Sequence, residues 1–169
     1  MSGIPAAEAV LARAAPLIRE AEGFSSRPYR DAIGKATIGW GSTHYADGRA
    51  VTINDAPIDE AAGEALLQTA LARLWSVLAP HLARPPGINQ AAALLSLAYN
   101  IGAGALLTSL LLAKFNRGDS EGAAAEFLRW DKARIGEALR VLPGLAARRK
   151  REQALFLTPD TNSFGKEET

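Results

Sequence analysis

A stretch of 23 residues without one charged side chain, residues 91–113, limits the folds open to this chain more than any other feature. A run of that length is long enough to span a bilayer as a single helix. Its interior argues against a span, because Asn100 lies near the middle, Ile101-Gly-Ala-Gly104 interrupts any helix, and alanine is much commoner than isoleucine or phenylalanine. The run therefore predicts a buried helix, a break at glycine and a second helix, with no stable membrane insertion.

Most of the remaining chain has helical periodicity. Residues 6–22 carry apolar side chains at spacings of three and four, and Gly23 is well placed to end that helix. Pro16 lies inside the pattern, so the helix is either kinked there or begins again with Pro16 in its first turn. Further helices are expected over residues 60–79 after an Asp59 cap, from an Asn89 cap to Ile101, and over 106–117, 120–130 and 144–157.

Residues 24–53 show a different pattern. Short segments rich in Tyr, Thr, Ile, Trp and Val are separated by turn sequences at Asp31-Ala-Ile-Gly34 and Ala46-Asp-Gly48, which predicts a small antiparallel sheet of hairpins. Such a sheet is too small to be stable alone and must pack on helices. We therefore expect one α+β domain over residues 1–169: a β-rich lobe at about 24–58, a larger helical lobe of 1–23 and 59–157, a cleft between them, and a frayed tail at 158–169.

The composition excludes several kinds of chemistry. The chain has no cysteine, so disulfides and thiolate catalysis are excluded, and His44 and His81 lie far apart without ligand spacing, so neither a metal nor another cofactor is expected. Nineteen basic and eighteen acidic residues give no overall field that demands a nucleic-acid partner. The N-terminus lacks a positively charged start followed by an apolar run, so we expect no signal peptide and synthesis in the cytoplasm. Nothing in the sequence suggests an oligomer, so we expect a monomer.

The local charge is less even than the total. Residues 129–151 contain eight Lys or Arg against two acids. This segment is either a basic face that attracts an anionic polymer or an ordinary solvated helix face.

Two acids near the N-terminus are candidates for acid–base chemistry. Glu22 falls at the end of its helix, where unpaired carbonyls favour a protonated carboxyl group, as a general acid requires. Asp31 lies in a turn among backbone donors and beside Arg27 and Arg30, which favours the ionised form. Two carboxyl groups in such opposed settings are the usual arrangement for splitting a glycosidic bond, and the Thr37 hydroxyl can hold a water. An ordinary helix-end acid and a turn-forming aspartate are the simpler alternative.

Glu20 is a rival for the role of Glu22. In a continuous helix Glu22 lies somewhat closer to the apolar face than Glu20 does. If the helix begins again at Pro16, helical phase no longer separates the two.

The spacing of these residues and the sequence around them resemble the phage-type lysozymes of glycoside hydrolase family 24. The resemblance begins with Glu22-Gly-Phe, Tyr29-Arg-Asp31 and Gly34-Lys-Ala-Thr37-Ile-Gly-Trp-Gly41 and continues, in the right order, to about residue 157. Its later parts are Val51-Thr-Ile, Ile58-Asp-Glu-Ala, Gln90 to Gly102, Ser109-Leu-Leu, Phe115 to Asp119, Phe127-Leu-Arg-Trp130, Leu142 to Arg149, Glu152 and Ala154-Leu-Phe156.

The resemblance implies a lysozyme-like fold and the hydrolysis of peptidoglycan, at the β-1,4 bond between N-acetylmuramic acid and N-acetylglucosamine. It implies that Glu22 is the general acid, that Asp31 activates or orients the attacking water, that Thr37 helps to place this water, and that the reaction inverts the anomeric carbon. It also implies that Asn100 lines the cleft, where the alternative is a helix-end amide that satisfies backbone groups.

Arg148 and Trp130 are further candidates for substrate binding. Arg148 is placed to reach the acid or a substrate carboxylate, although a surface position in the basic segment is the simpler reading. Trp40, Trp75 and Trp130 are more typical of a core than of sugar platforms, and of the three we expect Trp130 beside the cleft. The chain departs from the family pattern at Ser42, where many relatives have histidine after the second glycine, and His44 follows two residues later.

An endolysin that needs a permeabilised membrane to reach the cell wall fits this pattern best. The alternatives are a secretion-system toxin with the same chemistry and a member that binds cell-wall glycan or a partner protein without hydrolysis. The sequence also leaves transglycosylation open as the reaction.

Overall fold

The computed structural model describes residues 3–160 and confirms the α+β class: helices with two small antiparallel hairpins. In chain order the elements are α1 (Ala7–Glu22), β1 (Ser25–Arg30), β2 (Ala36–Gly39), α2 (Glu60–Leu78), α3 (Ile88–Ile101), α4 (Ala103–Leu107), α5 (Leu110–Asn116), α6 (Ser120–Phe127), β3 (Lys132–Ile135), β4 (Ala138–Val141) and α7 (Pro143–Leu157), with 3₁₀ turns at Ala79–His81 and Leu128–Trp130.

Helix α3 forms the centre of the helical core. Every residue from Ala91 to Ala98 is buried, and α1 and α7 pack against it. The helix ends where Gly102 takes a φ of 89°, a left-handed conformation that favours glycine, and α4 begins directly afterwards. The uncharged run is therefore a buried helix followed by shorter ones. Within residues 3–160 no helix combines the length and hydrophobicity that a bilayer crossing requires.

The first hairpin sits on the start of helix α2. Strands β1 and β2 pair in antiparallel register, with Tyr29 opposite Thr37, around a turn closed by the Gly34 N–H on the Asp31 carbonyl. Ile38 is fully buried and packs with Val51 and with Leu66 of α2 in a small second core. This second core fixes the hairpin to the helical part and so sets the shape of the cleft.

The expected cap of α3 is wrong by two residues. Gly87 is the N-cap, and Asn89 lies inside the first turn, where its side chain accepts a hydrogen bond from Arg13 Nε at 2.7 Å. The free N–H groups of Ile88 and Asn89 donate instead to the Asp160 carboxylate, at 2.6 and 2.8 Å. The start of the expected frayed tail is therefore held against α3, and the rest of that tail, residues 161–169, lies outside the described residues.

A second hairpin occupies a stretch for which no strands were expected. Strands β3 and β4 pair through a two-residue turn in which Gly136 has a φ of 60°. A glycine in this conformation at the first turn position allows a tight two-residue turn. The twist of such a turn matches the right-handed twist of the paired strands. The helix expected over residues 106–117 is also two helices, because Ser109 begins α5 by accepting a hydrogen bond from the Leu112 N–H at 3.2 Å.

Candidate active site

A cleft of about 920 Å³ runs between the first hairpin and the helical core. Five of the six predicted site residues line it: Glu22, Asp31, Thr37, Asn100 and Trp130. Its other polar lining residues include Tyr29, Ser42, His44, Arg73, Tyr99 and Lys132. The fold thus brings residues separated by more than a hundred positions to one surface.

Glu22 is the last residue of α1, and its side chain is 21% exposed at the cleft. The helix runs without a break through Pro16, so helical phase does separate the two candidate acids. Glu20 points elsewhere: its side chain is 60% exposed and pairs with Arg151 on the surface. Gly23, at a φ of 68°, ends the helix and turns the chain into β1. Of the two acids, only Glu22 lines the cleft.

Arg148 is neither on the surface nor on the cleft wall, so a direct contact with substrate does not fit its position. Its side chain is 7% exposed, and its Nη1 donates to Glu22 Oε1 at 2.6 Å. The other nitrogens are also engaged, Nε with Glu152 at 3.2 Å and Nη2 with the Ser96 carbonyl at 3.3 Å. This guanidinium fixes the position of one oxygen of the Glu22 carboxylate.

The basic segment carries less free charge than its composition suggests. Arg148 and Arg149 are both buried around Glu152, and Arg129, Lys132 and Arg151 each pair with an acid. The expectation of a basic face that attracts an anionic polymer is therefore weakened, because much of the positive charge is balanced within the fold.

The hairpin holds Asp31 through its own backbone. Asp31 Oδ1 accepts hydrogen bonds from the N–H groups of Ile33 and Lys35, at 3.0 and 2.8 Å, across the turn. Among the described residues these are the hydrogen bonds made by this carboxylate, which leaves Oδ2 for the cleft. Two backbone donors thus fix the orientation of the Asp31 carboxylate within its turn.

Thr37 lies on β2 and is 3% exposed. Its hydroxyl donates to the Lys35 carbonyl at 3.1 Å, so the lone pairs of Oγ1 are left to accept hydrogen bonds. Tyr29 lies opposite Thr37 on β1. Burial raises the pKa of the Tyr29 hydroxyl, and the charges of Glu22 and Asp31 raise it further, so this hydroxyl remains a hydrogen-bond donor at neutral pH.

The back of the cleft is formed by Tyr99 of α3. Burial raises the pKa of its hydroxyl to about 12, and this hydroxyl donates to the Trp40 carbonyl at 2.9 Å. Next to it Ser42, at the position where many relatives have histidine, is 3% exposed, and its Oγ has no hydrogen-bond partner within the described part of the chain. The His44 side chain is exposed and contacts Thr43 instead.

Asn100 and Trp130 border the cleft from the helical side. Asn100 is exposed at the end of α3, and Trp130 is partly buried at the end of the 3₁₀ turn after α6. By contrast Trp75 is 5% exposed in the core, and the Trp40 ring packs on Phe24 with the ring centroids 5.1 Å apart and the planes tilted by 51°. Of the three tryptophans, Trp130 is the one that lines the cleft.

Sequence reasoning missed the buried ion group behind Glu22. Glu152 and Arg149 are both fully buried on α7, and Glu152 contacts Arg148 as well. The spacings of three and four residues between these side chains would have placed them together on one helix face. That this face is buried could be inferred only from the way α7 packs on α3.

Comparison with known proteins assigns the family. The model of the phage lysozyme family matches residues 19–152, which includes all six predicted site residues. The chain belongs to the phage lysozyme family. An endolysin of Acyrthosiphon pisum secondary endosymbiont phage 1 is 40% identical over 140 residues, which covers 83% of this chain and 92% of that endolysin.

Solved structures of an endolysin and of a muramidase domain have the same fold. An endolysin from Escherichia coli O157:H7 phage FAHEc1 superposes with a TM-score of 0.79 at 27% identity, covering 86% of this chain and 90% of that one. The muramidase domain of SpmX from Asticaccaulis excentricus gives a TM-score of 0.76 at 28% identity, with 94% of this chain and all of that domain covered. Membership in this family supports an endolysin of the muramidase type in general.

Proposed function

We propose that this phage lysozyme is an endolysin that hydrolyses the β-1,4 bond between N-acetylmuramic acid and N-acetylglucosamine in peptidoglycan. The observation that carries the proposal is the shared cleft of Glu22, Asp31 and Thr37, with each residue held by a different part of the fold. The family resemblance supplies the substrate and the bond. The enzyme acts on the cell wall after its release from the cytoplasm.

In this proposal Glu22 protonates the leaving oxygen. It is the acid on the helical side of the cleft, and Arg148 fixes one carboxylate oxygen at 2.6 Å. The second oxygen faces the hairpin next to Gly41, where a side chain would come within 3.1 Å of it. A carboxyl group that is fixed at one oxygen and has little free space beside the other is pre-oriented toward a bond in the cleft.

Asp31 and Thr37 orient the attacking water. Asp31 Oδ1 accepts hydrogen bonds within the turn, and Oδ2 is left to accept one in the cleft. The Thr37 hydroxyl donates its hydrogen bond to the Lys35 carbonyl, so its oxygen can accept another. Both groups therefore accept hydrogen bonds from a water and direct its lone pair toward the sugar. Attack by such a water from the side opposite the leaving group inverts the anomeric carbon.

The test is the substitution Glu22→Gln, assayed by the release of reducing ends from purified peptidoglycan. We expect wild type to release them and Glu22→Gln to lose activity by about 10²-fold or more, since the amide cannot donate the acid proton. The variant should stay folded, because its amide oxygen still accepts from Arg148. Glu20→Gln is the matched control: it removes a carboxylate two residues away that pairs on the surface, and it should keep wild-type activity.

Three results would change the proposal. Full activity of Glu22→Gln would refute the acid assignment, and loss of activity in Glu20→Gln would move the assignment to that residue. Wild type that releases no reducing ends would favour the member that binds glycan without hydrolysis. Products with anhydro ends, detected by mass analysis, would indicate transglycosylation instead of hydrolysis.

A further inference from the structure

A closed ion group lies directly behind Glu22. The Glu152 carboxylate and the Arg149 guanidinium are both 0% exposed, and Arg148 stands between them and the cleft. Burying charges is costly unless each has a partner, so this group would be selected against if it did nothing but fill the core. Apolar side chains of similar volume would often be at least as stable at such positions.

Glu152 accepts three hydrogen bonds at one of its two oxygens. Oε1 accepts from Ser96 Oγ at 2.8 Å, from Arg149 Nη2 at 3.1 Å and from Arg148 Nε at 3.2 Å. Oε2 lies 2.8 Å from Arg149 Nε. Burial raises the pKa of the Glu152 carboxyl and lowers that of the Arg149 guanidinium, and the opposite charge of each partner resists both shifts.

The contacts form a chain that ends on the proposed acid. Arg148 is held at Nε by Glu152 and at Nη2 by the Ser96 carbonyl, so only Nη1 is left to meet Glu22. A planar guanidinium fixed at two of its nitrogens has little freedom at the third. Besides Glu22 itself, α3 and Glu152 therefore fix the direction in which Arg148 points.

We propose that Glu152 is a positioning residue, which balances the second buried cation, Arg149, and aims Arg148 at Glu22, so that one oxygen of the proposed acid is held in place. This inference rests on the proposed role of Glu22 as the acid. Without Glu152, Arg148 Nε loses its partner, and the two buried cations lose the carboxylate that lies between them. Arg148 is then free to shift, and Glu22 is no longer held in one orientation.

Other groups around Glu22 do not replace this balance. Tyr29 and Tyr99 face it from β1 and α3 as neutral hydroxyls, since the pKa of each is raised. Asp31 lies on the opposite wall of the cleft, tied to its own turn. Among the described residues Glu152 is thus the carboxylate that shares Arg148 with Glu22.

The experiment compares Glu152→Gln with Glu126→Gln. Glu126 is also a buried glutamate with two cationic partners, Lys114 and Arg129, but it lies on α6 outside the cleft lining. Both variants lose a buried charge, so both should unfold at lower temperature than wild type. Only Glu152→Gln should lower kcat, by about tenfold and with little change in KM, because Glu126 does not contact Arg148.

A second measurement separates this inference from the proposed function. The restricted rotation of the Arg148 Nη1 group, measured by NMR, reports its contact with Glu22 whether or not the protein is active, and in Glu152→Gln this rotation should become faster. If Glu152→Gln is too unstable, Ser96→Ala removes the 2.8 Å donor to Glu152 and should change the rotation in the same direction by a smaller amount. Rotation rates equal to those of wild type and Glu126→Gln would overturn the proposal, even if wild type hydrolyses peptidoglycan.

Discussion

The two walls of the cleft hold their carboxyl groups in opposite ways. On the hairpin wall, Asp31 is fixed by backbone N–H groups two and four residues away. On the helical wall, Glu22 is fixed by Arg148, which lies 126 positions along the chain and is itself held by α3 and by Glu152. Asp31 is placed by a turn, and Glu22 is placed by the packing of three helices. Substitution of Asp31 on the hairpin wall should therefore affect activity alone, whereas substitution of Arg148 behind the helical wall should affect both activity and stability.

Asp31→Asn, on the hairpin wall, should lower activity without lowering stability. Its effect on kcat is the largest expected in this comparison. The amide oxygen still accepts from Ile33 and Lys35, so the turn and the thermal stability should hold, while the loss of the negative charge lowers kcat about 10²- to 10⁴-fold.

Asp47→Asn is the control for Asp31→Asn, because Asp47 accepts from the Arg49 N–H in the next turn, away from the cleft lining. Measurements of kcat give the activity of both variants, and thermal melts give their stability. A variant Asp31→Asn that is as active as Asp47→Asn would remove Asp31 from the mechanism.

Arg148→Lys should damage the helical wall in both activity and stability. Lysine keeps the charge but has a single ammonium group, which cannot contact Glu22, Glu152 and the Ser96 carbonyl together. We expect a fall in kcat of about 10- to 100-fold and a loss in the free energy of unfolding of about 3 kcal/mol.

Arg151→Lys is the control for Arg148→Lys on the same helix, since Arg151 pairs with Glu20 where both side chains are more than half exposed. Such a surface pair contributes little, so urea unfolding and kcat should be close to wild type. If Arg148→Lys matched this control, the claim that the helical wall depends on distant packing would fail.

The same contrast explains what the sequence could predict. The turn at Asp31, the end of α1 at Gly23 and the cap of α2 at Asp59 depend on residues within a few positions, and all three are found where they were expected. The role of Asp160 at the start of α3 and the burial of Arg148 depend on residues brought from far along the chain. Periodicity cannot specify such contacts, and the sequence supported a contact between Arg148 and the acid only as an alternative to a surface position.

The second hairpin was missed for a related reason. Its strands have four residues each, and all of β4 and most of β3 are exposed, so no alternation of buried and exposed positions marks them. The first hairpin, by contrast, buries Thr37, Ile38 and Gly39 in succession and carries β-branched and aromatic residues. Composition and turn residues, and not strand length, marked the first hairpin in the sequence.

Gly41→Ala tests the point where the two walls meet, and it should have the smallest effect of the three. Gly41 has a φ of 91°, and a Cβ there would lie 3.1 Å from Glu22 Oε2, so alanine adds both backbone strain and a push on the proposed acid. Gly48→Ala provides the matched control, since Gly48 has a φ of 89° with nothing within 4 Å. Both should lose about 1 to 2 kcal/mol of stability from the left-handed alanine, but only Gly41→Ala should lower kcat, by a few-fold. Equal kcat values for the two variants would show that the hairpin wall does not help to hold Glu22, and that Arg148 alone sets its orientation.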